Sequence, residues 1–311
     1  MAKYLVTGGA GFIGSHLVEA LLTRGHQVRV LDNFSSGKRG NLVPYREQIE
    51  LFEGDIRSYH IVREAVDGVD IVFHQGALPS VPRSINDPIT TNEVNVGGTL
   101  NLLDAARIAD VKRLVFASSS SVYGANEDVP KREDMLPEPI SPYAVSKLTG
   151  EKYCQVFSRT YGLETVSLRY FNVFGPRQDP TSPYAAFIPI FISGMFDGQN
   201  LTINGDGNVS RDFTHVRNVV EANLLAAEAD DVDGEIFNIA CGDSVTLNEV
   251  VQRLRELINT QGNIFYGESR IGDVPKSLAD VNHARIKLRY HPIMSVWDGL
   301  ADTVSWYEVH G

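Results

Sequence analysis

The chain of 311 residues contains only two cysteines, Cys154 and Cys241, which lie far apart in the sequence. Two thiols cannot form a disulfide framework or a four-cysteine zinc site, so we expect two reduced structural thiols. The sequence also lacks a run of 18 apolar residues, which argues against a membrane-spanning helix. Its N-terminal segment, one lysine before a short apolar strand that glycines end, does not have the pattern of a signal peptide. These absences predict a cytoplasmic protein.

Basic residues are scarce as well: 28 Lys and Arg face 39 Asp and Glu, which gives a net charge of −11. Nucleic acids and anionic membranes are therefore not the expected partners. The eight histidines show no H-E-x-x-H or H-x-H spacing, and we interpret His74 and His215 as structural residues, with no metal site. With 43% apolar and 22% charged residues, the chain has the composition of a globular protein.

Short apolar runs alternate with amphipathic stretches along the first half of the chain. The predicted strands are Lys3–Thr7, Val28–Asp32, Ile71–His74, Leu114–Ser118 and Thr165–Tyr170. The predicted helices between them cover about residues 12–24, 58–67, 92–109 and 142–161. Continuous apolar strands alternating with helices predict an α/β fold, a doubly wound parallel sheet of the Rossmann type.

The composition of the sequence changes after residue 175, where a short stretch that includes Gly175-Pro176 is rich in proline. We therefore predict a Rossmann-type domain over residues 1–175 and a smaller α/β substrate-binding lobe over 176–311. A helix at 216–229 and a strand at Glu235–Ala240 indicate that 215–240 returns to the first domain. A further helix is expected near 246–259.

The first strand leads directly into a glycine-rich turn and then a helix. Gly9, Gly11 and Gly14 satisfy G-x-G-x-x-G, and Gly8 extends the pattern. Such glycines let backbone N–H groups approach a pyrophosphate at the helix N-terminus. The next strand ends at Asp32, eighteen residues after Gly14, where a carboxylate binds ribose hydroxyls and repels a 2′-phosphate. The pattern favours NAD over NADP as the cofactor.

The segment from Ser141 to Lys147 carries a second chemical signal. Ser141 is a suitable N-cap and Pro142 suits the first helical position. Tyr143 and Lys147, four residues apart, then share one helical face. A lysine ammonium beside a phenol is expected to lower the pKa of the tyrosine and make it a general base.

Four consecutive serines, Ser118 to Ser121, follow a buried strand. Ligands of open α/β sheets bind at the carboxyl ends of the strands, so these hydroxyls are candidates for contacts with a sugar or a cofactor. The alternative for some of them is a turn position, since serine is common in turns.

Together, the segments T-G-G-x-G-F-I-G, S-S-S-x-V-Y-G and P-Y-x-x-S-K resemble the extended short-chain dehydrogenase/reductase family of nucleotide-sugar enzymes. The resemblance covers essentially the whole chain and is greatest to UDP-hexose 4-epimerases. It implies a catalytic triad of Ser119, Tyr143 and Lys147. It also implies a set of NAD-binding residues: Gly8, Gly11, Phe12, Ile13, Gly14, Asp32, Asn33, Asp55, Ile56, Ala77, Asn95, Ser118, Tyr143, Lys147 and Tyr170.

The same resemblance implies that the smaller lobe binds a UDP-sugar. Asn172 would contact the sugar nucleotide, Arg211 and Arg270 the phosphates, and Asp273 the uridine ribose. The sequence departs from part of the family at one position. In the turn after the third predicted strand, Pro79 stands where enzymes restricted to UDP-glucose and UDP-galactose often carry a lysine. The remaining residues expected at the substrate are Ser80, Arg83, Ser119, Ser120, Tyr143, Ala186, Thr202 and Ser277.

The resemblance thus predicts an isomerase, an NAD-dependent 4-epimerase of UDP-glucose and UDP-galactose. The small residue Ser277, in place of a bulky tyrosine, extends this prediction to the N-acetylated sugars. A UDP-glucuronate 4-epimerase is the alternative. A dehydratase is disfavoured because Ser120 and Ser121 stand where dehydratases carry an Asp-Glu pair, and a decarboxylase lacks its acidic residue near Ser120. A non-catalytic NAD-binding scaffold is disfavoured by the intact tyrosine and lysine. The family also implies a homodimer formed through helices near 92–109 and 143–161.

Overall fold

The computed structural model describes residues 1–260, 262–268 and 276–310. The strands are β1 (Lys3–Thr7), β2 (Gln27–Asp32), β3 (Ile49–Glu53), β4 (Ile71–His74), β5 (Arg113–Ser119), β6 (Glu164–Tyr170), β7 (Val173–Phe174), β8 (Leu201–Asn204), β9 (Ser210–Arg211), β10 (Thr214–His215), β11 (Glu235–Ile239), β12 (Val245–Thr246) and β13 (Ile264–Gly267). The α-helices are α1 (Phe12–Thr23), α2 (Tyr59–Val66), α3 (Val81–Asn86), α4 (Pro88–Asn92), α5 (Gly98–Ile108), α6 (Pro142–Tyr161), α7 (Phe187–Phe196), α8 (Val216–Glu228), α9 (Leu247–Ile258), α10 (Asn282–Lys287) and α11 (Val296–His310).

In the described residues, seven parallel strands form the central sheet in the order β11-β6-β5-β4-β1-β2-β3. The order reverses at β1, with β2 and β3 on one side and β4, β5 and β6 on the other. Thr7 at the end of β1 pairs with both Leu31 and His74, so the carboxyl ends of these strands meet at one edge. This architecture confirms the predicted α/β doubly wound sheet, and the reversal is where such sheets form a ligand crevice.

The inner strands are buried on both faces, which explains their continuous apolar sequences. One core cluster includes Val6, Val30 and Val115 and lies between the sheet and helices α1 and α8. The other includes Leu5 and Leu114 and packs the opposite face against α2 and α5. Alternate residues of each strand thus pack into the cores on opposite faces of the sheet, as expected for a parallel sheet that is covered on both sides.

Two of the differences from the sequence predictions have a clear physical reason. The edge strand β3 was not predicted, because Glu50, Leu51 and Glu53 are exposed and break the apolar run. The expected helix over 92–109 is interrupted by a π-type turn at Glu93–Gly97, after which α5 begins at Gly98. A Cβ on Gly98 would lie 2.6 Å from the Ile56 side chain, so this glycine permits a close approach of α5 to the loop after β3.

Residues from the second half of the chain form a third core cluster, to which α7, α9 and α11 contribute. Strand β11 instead joins the central sheet beside β6, so residues 235–239 lie with the first half of the chain. The exact division into domains remains a prediction. None of the helices in the described part of the chain combines the length and apolar character that a membrane crossing requires.

Candidate active site

The glycine-rich turn between β1 and α1 forms the floor of a cleft at the carboxyl ends of the strands. Gly8 has a φ of +68°. A Cβ on Gly14 would lie 2.1 Å from the Gly8 carbonyl oxygen, so only glycine allows this packing. Phe12 and Ile13 occupy the first turn of α1 and line the cleft. Their N–H groups lack partners within the helix and favour an anionic group such as a pyrophosphate.

Asp32 ends β2 and holds the glycine-rich turn in place. Its Oδ2 accepts a hydrogen bond from the Ala10 N–H at 2.9 Å, and its Oδ1 accepts one from the Phe34 N–H at 2.7 Å. Burial raises the pKa of this carboxyl group, and the two N–H bonds oppose that change. A carboxylate has about four acceptor positions, so both oxygens keep lone pairs for ribose hydroxyls.

A second acidic residue, Asp55, lies beyond Asp32 along the cleft. Its Oδ2 accepts hydrogen bonds from Asn33 Nδ2 at 2.9 Å and from the Arg57 guanidinium at 2.8 Å. The hydrogen bonds from Arg57 lower the pKa of Asp55 to about 2. Ile56 is buried beside it. This end of the cleft therefore presents an apolar residue between fixed polar groups, which suits an adenine and its ribose.

The loop after β4 forms one wall of the cleft and is fixed from behind. Asn95 accepts a hydrogen bond from the Leu78 N–H at 2.8 Å and donates to Ser146 Oγ at 3.0 Å. Gly76 N–H donates to Thr7 Oγ1 at 3.1 Å. Asn95 was expected to contact the cofactor, but the structure buries its amide between the loop and α6. Its observed contribution is to the shape of this wall.

Helix α6 begins as the sequence predicts. Ser141 caps it by accepting a hydrogen bond from the Ala144 N–H, with Pro142 at the first helical position. Tyr143 and Lys147 line the cleft from this helix. The Lys147 ammonium donates to the Ala117 carbonyl oxygen at 2.8 Å and lies 6.0 Å from the centre of the Tyr143 ring. The helix is thereby attached to the end of β5.

The pKa of Tyr143 departs from the expectation. Burial raises the pKa of this phenol, and a hydrogen bond with Ser119 opposes the rise. The predicted lowering by Lys147 is not seen, because the ammonium is held at Ala117 and burial dominates. The pKa of Lys147 is itself lowered to about 8 by burial. Lys147 is therefore mostly charged at neutral pH.

The serines after β5 have separate roles. Ser118 donates to Glu151 Oε1 at 2.5 Å beneath the cleft. Ser119 contacts Tyr143, and its Oγ also accepts a hydrogen bond from the Ser121 N–H at 3.2 Å. Ser120 begins the 3₁₀ turn Ser120–Tyr123. The serine beside the phenol, Ser119, is thus positioned by the local turn.

Residues 176–186, which we call the strap, contribute to the wall of the cleft. His16 on α1 hydrogen-bonds the Pro176 carbonyl oxygen at 2.9 Å. Lys38 and Asp179 form a salt bridge of 3.0 Å. These contacts join the strap to the segments on either side of β2.

Sequence reasoning missed the strap and its contacts. Arg177, at a φ of +66°, pairs with Glu19 on α1 and also donates to the Tyr45 hydroxyl at 3.3 Å. The dense prolines of this stretch were interpreted only as a boundary between lobes. No short-range pattern connects Arg177 with Glu19, which precedes it by 158 residues.

The cleft has a volume of about 920 Å³. The structure places most of the predicted cofactor residues in its wall, together with three further residues predicted for the substrate: Gly8, Gly11, Phe12, Ile13, Gly14, Asp32, Asn33, Asp55, Ile56, Ala77, Ser118, Tyr143, Lys147 and Tyr170, with Ser80, Arg83 and Ala186. Their assembly around one space shows that the glycine-rich turn and the Tyr143 helix face the same ligand volume.

Side-chain hydrogen bonds hold Tyr170 in the cleft wall, and the sequence did not indicate them. Its hydroxyl accepts hydrogen bonds from Gln75 Nε2 at 3.0 Å and from Asn223 Nδ2 at 2.8 Å. Burial raises the pKa of this phenol. Tyr170 is therefore neutral at neutral pH and is held by β4 and α8 rather than by its own strand.

The predicted substrate residues outside the cleft wall are scattered. Asn172 follows β6 at a φ of +34°. Arg211 lies on β9, and the Ser277 N–H donates to the Ser210 carbonyl oxygen at 3.0 Å, so Ser277 adjoins that strand. Thr202, expected at the sugar, is exposed on β8, and the structure does not bring it to the cleft. Two further predictions, Arg270 and Asp273, lie outside the described residues.

The two histidines interpreted as structural are both buried. His74 lies between Thr7 Oγ1 at 2.8 Å and Thr99 Oγ1 at 2.9 Å, and burial lowers its pKa to about 3. His215 lies 3.3 Å from Asp302. Across the described ranges, no group of three His, Cys, Asp or Glu residues is arranged to hold a metal ion.

Comparisons with known proteins agree with this geometry. A family model described as the NAD dependent epimerase/dehydratase family matches residues 4–240. A "Putative UDP-glucose 4-epimerase" from Methanocaldococcus jannaschii is 38% identical over 304 residues, which cover 97% of both chains. A UDP-N-acetyl-alpha-D-glucosaminuronate decarboxylase from Bacillus cytotoxicus is 34% identical, over 98% of this chain and 97% of the relative.

Among solved structures, the chain is similar to a UDP-N-acetylglucosamine 4-epimerase from Methanobrevibacter ruminantium in complex with UDP-N-acetylmuramic acid. The TM-score is 0.95 and the identity 39%, covering 100% of this chain and 99% of the other. The match therefore includes the cleft and also the residues after 176.

Proposed function

The chain belongs to the NAD dependent epimerase/dehydratase family, and we propose that it catalyses the C4 epimerisation of UDP-hexoses through a 4-keto intermediate. At the coarser level it is an NAD-dependent UDP-sugar enzyme of the epimerase and decarboxylase group. One observation carries the finer proposal: Tyr143 and Lys147 line the same cleft as the glycine-rich turn, and Ser119 lies beside the Tyr143 phenol.

The residues of the cleft fit NAD. The Gly8–Gly14 packing, which a Cβ would fill, leaves room for a pyrophosphate at the N-terminus of α1. Asp32 would hold the adenosine ribose, and Asp55 and Ile56 would border the adenine. Bound NAD supplies a hydride acceptor and donor for the sugar carbon. The strap residues Arg177 and Asp179 also line the cleft.

Tyr143 is the group that moves a proton in this proposal. After Tyr143 has released its own proton to solvent, its phenolate oxygen takes the proton of the sugar C4 hydroxyl as C4 is oxidised, and the resulting phenol returns that proton when C4 is reduced from the other face. Ser119 shares the hydrogen bond at that oxygen. Lys147, charged at neutral pH, favours the phenolate form electrostatically once Tyr143 is ionised. The buried environment that raises the phenol's pKa makes this help necessary.

Epimerisation also requires the 4-keto sugar to turn over between the two transfers. That motion is feasible when binding energy resides in the UDP and not in the hexose. Arg211 would bind the diphosphate, and Arg270 and Asp273, outside the described residues, would contact phosphate and uridine ribose. Asn172 would contact the sugar nucleotide.

We further propose that the enzyme accepts N-acetylated UDP-hexoses. Ser277 has a small side chain and adjoins β9, the strand of Arg211. Ala186 is a small residue in the cleft wall. Small side chains at these positions leave volume for an acetamide group, which a tyrosine ring would fill. Thr202 does not support this argument, since it is exposed on β8.

A UDP-uronate is the second candidate substrate. Arg83 lines the cleft on α3, beyond the loop that carries Ser80, where a guanidinium could pair with a sugar carboxylate. A decarboxylase relative matches 98% of this chain over 97% of its own length. Against decarboxylation and dehydration, the positions after Ser119 are Ser120 and Ser121, and neither is an acid.

The test is a substrate panel of UDP-glucose, UDP-N-acetylglucosamine and UDP-glucuronate, each analysed for its C4 epimer and for loss of CO₂. We expect the galacto epimers of the first two. Conversion of UDP-glucuronate alone would assign the enzyme to the second candidate, and release of CO₂ would identify a decarboxylase. A lack of conversion with all three would refute the proposed reaction.

A further inference from the structure

A fully buried ion pair lies directly beneath the candidate catalytic groups. Glu151 on α6 and Arg169 on β6 are 0% and 1% exposed. Two hydrogen bonds of 2.8 Å join the guanidinium Nε and Nη2 to the two carboxylate oxygens. The Arg169 guanidinium also lies 4.7 Å from the centre of the Tyr123 ring. Neither residue of this pair lines the ligand cleft, so the pair can affect the cleft only through neighbouring residues.

Glu151 is connected to the catalytic groups in two ways. It lies on α6 at the i+4 position from Lys147 and i+8 from Tyr143, so the three share a helix face. It also accepts the Ser118 hydroxyl at 2.5 Å, next to Ser119 in the chain. Ser118 and Arg169 are direct neighbours across β5 and β6. The pair therefore joins the catalytic helix to the strand end that carries the catalytic serine.

Stability alone is a poor reason for such an arrangement. Removing two charges from water costs several kcal/mol per ion, and apolar pairs of similar volume are often as stable or more so. The hydrogen bonds are also highly directional, which fixes the relative position of α6 and β5. We propose that Glu151, with Arg169, is a positioning residue that sets the geometry of Ser119, Tyr143 and Lys147. This inference rests on the proposed function of those three residues.

The physical effect has two parts. First, the Ser118–Glu151 bond and the Lys147–Ala117 bond attach adjacent residues of β5 to adjacent turns of α6. A loss of the first bond would let the strand end move against the helix, and displacements of about 1 Å can cost 10²-fold in rate. Second, the Glu151 carboxylate raises the pKa of Lys147, against the lowering by burial.

Burial lowers the pKa of Lys147, and the charges of Cys154 and then Glu151 would raise it, but only Glu151 is charged at neutral pH. Cys154 on the same helix has a pKa raised to about 12 by burial, and His74 on β4 has one lowered to about 3. Both are neutral at neutral pH, and burial also keeps Tyr143 protonated in the ligand-free cleft. Loss of the Glu151 charge should therefore lower the pKa of Lys147 below about 8.

The protein contains a matched control. Arg113 on β5 contacts Glu164 on β6 at the opposite edge of the sheet, with Nε at 3.0 Å and Nη2 at 2.8 Å from the same oxygen, Oε2, of a partly exposed carboxylate. Arg113 is buried, like Arg169. Glu164→Gln thus perturbs an ion pair of the same sheet far from the cleft.

The first experiment compares Glu151→Gln with Glu164→Gln. For Glu151→Gln we expect kcat on UDP-glucose to fall about 10- to 100-fold, with little change in KM or in bound NAD. The alkaline decline in kcat, where Lys147 loses its proton, should move to lower pH. Glu164→Gln should retain the wild-type kcat and pH profile. If the Glu151→Gln variant folds and keeps both the wild-type kcat and the wild-type pH profile, the proposal is overturned.

A second readout does not depend on turnover. Competitive labelling with acetic anhydride over a pH series, quantified on the Lys147 peptide by mass spectrometry, reports the pKa of this amine. Glu151→Gln should lower that pKa and Glu164→Gln should leave it unchanged. If the wild-type protein fails to convert any UDP-hexose, the proposed function fails, but labelling still decides whether Glu151 controls Lys147.

Glu151→Gln leaves the Arg169 charge buried and could unfold the protein. The double variant Glu151→Met with Arg169→Met removes both charges at similar volume, and we expect it to fold. It should still show the lower kcat and the lowered pKa of Lys147. Normal kcat and labelling in this variant would assign the pair a purely structural role. Failure of the double variant to fold would also refute the proposal, which holds the pair dispensable for folding.

Discussion

Replacement of Gly14 by alanine should selectively destroy cofactor binding. The new Cβ would lie 2.1 Å from the Gly8 carbonyl oxygen and 2.8 Å from the Gly9 Cα. Ordinary contacts begin near 3.4 Å, so the turn and the start of α1 would have to separate by about 1.3 Å. Both colliding atoms belong to the backbone and cannot rotate away. The turn that forms the pyrophosphate site must therefore deform.

The magnitude follows from the cost of overpacking, which is about 1–3 kcal/mol. If this cost appears only in the cofactor-bound geometry, the Kd for NAD rises about 5- to 140-fold, since 1.4 kcal/mol is a factor of ten. If the overpacking also destabilises the protein without NAD, its Tm falls by about 2–4 °C for each kcal/mol. The two outcomes are separated by measuring NAD affinity and thermal unfolding on the same preparation.

The assay is NAD released from the purified protein by denaturation, together with a binding titration of the stripped protein. Gly97→Ala serves as the matched control. Gly97 has helical angles, φ −60° and ψ −47°, and its Cβ would have no neighbour within 4 Å. This control should bind NAD normally and gain up to about 1 kcal/mol of stability. Wild-type affinity and Tm in Gly14→Ala would show that the turn is not the cofactor site.

Four further outcomes are expected. Tyr143→Phe should lower kcat by about 10²–10⁴-fold with little change in KM, because it loses the general base; near-normal turnover would mean that another group is the base. The purified protein should contain NAD and little NADP, since the Asp32 carboxylate repels a 2′-phosphate; mass spectrometry of the extract checks this, and an NADP majority would contradict it. Ser277→Tyr should selectively lower kcat/KM for UDP-N-acetylgalactosamine relative to UDP-galactose; an unchanged ratio would remove Ser277 from the sugar pocket. Lys38→Met should break the salt bridge with Asp179 and speed NAD dissociation by up to about fivefold, since exposed pairs contribute at most about 1 kcal/mol; stopped-flow release that is as slow as in wild type, at low salt, would show that this bridge does not retain the cofactor.

The fold was predictable because most of its strands are buried on both faces. Apolar runs such as Ile71–His74 mark strands that only a covered sheet can accommodate. The edge strand β3 has one partner and exposed charged side chains, so its sequence resembles a loop. The π-type turn at Glu93–Gly97 has no sequence signature in its residue types and depends on packing against α6.

The candidate site likewise has parts that the sequence predicts and parts that it does not. The glycine spacing and the Tyr143–Lys147 spacing are local, and local geometry alone places each pair of residues together. Asn95, by contrast, was assigned to the cofactor although its amide is used by Leu78 and Ser146. Which way a buried amide points depends on neighbours that are distant in the chain.

By itself, the sequence determined the doubly wound sheet, the glycine-rich turn at its centre and the presence of a tyrosine and a lysine on one helix face. These features depend on backbone sterics and on periodicity over a few residues, which are readable in order along the chain. The pairing of Glu151 with Arg169 and Ser118, the position of the strap in the cleft wall, and the raised pKa of buried Tyr143 could be seen only in the tertiary structure. Those properties arise from desolvation and from contacts between distant segments, and neither has a local pattern in the sequence.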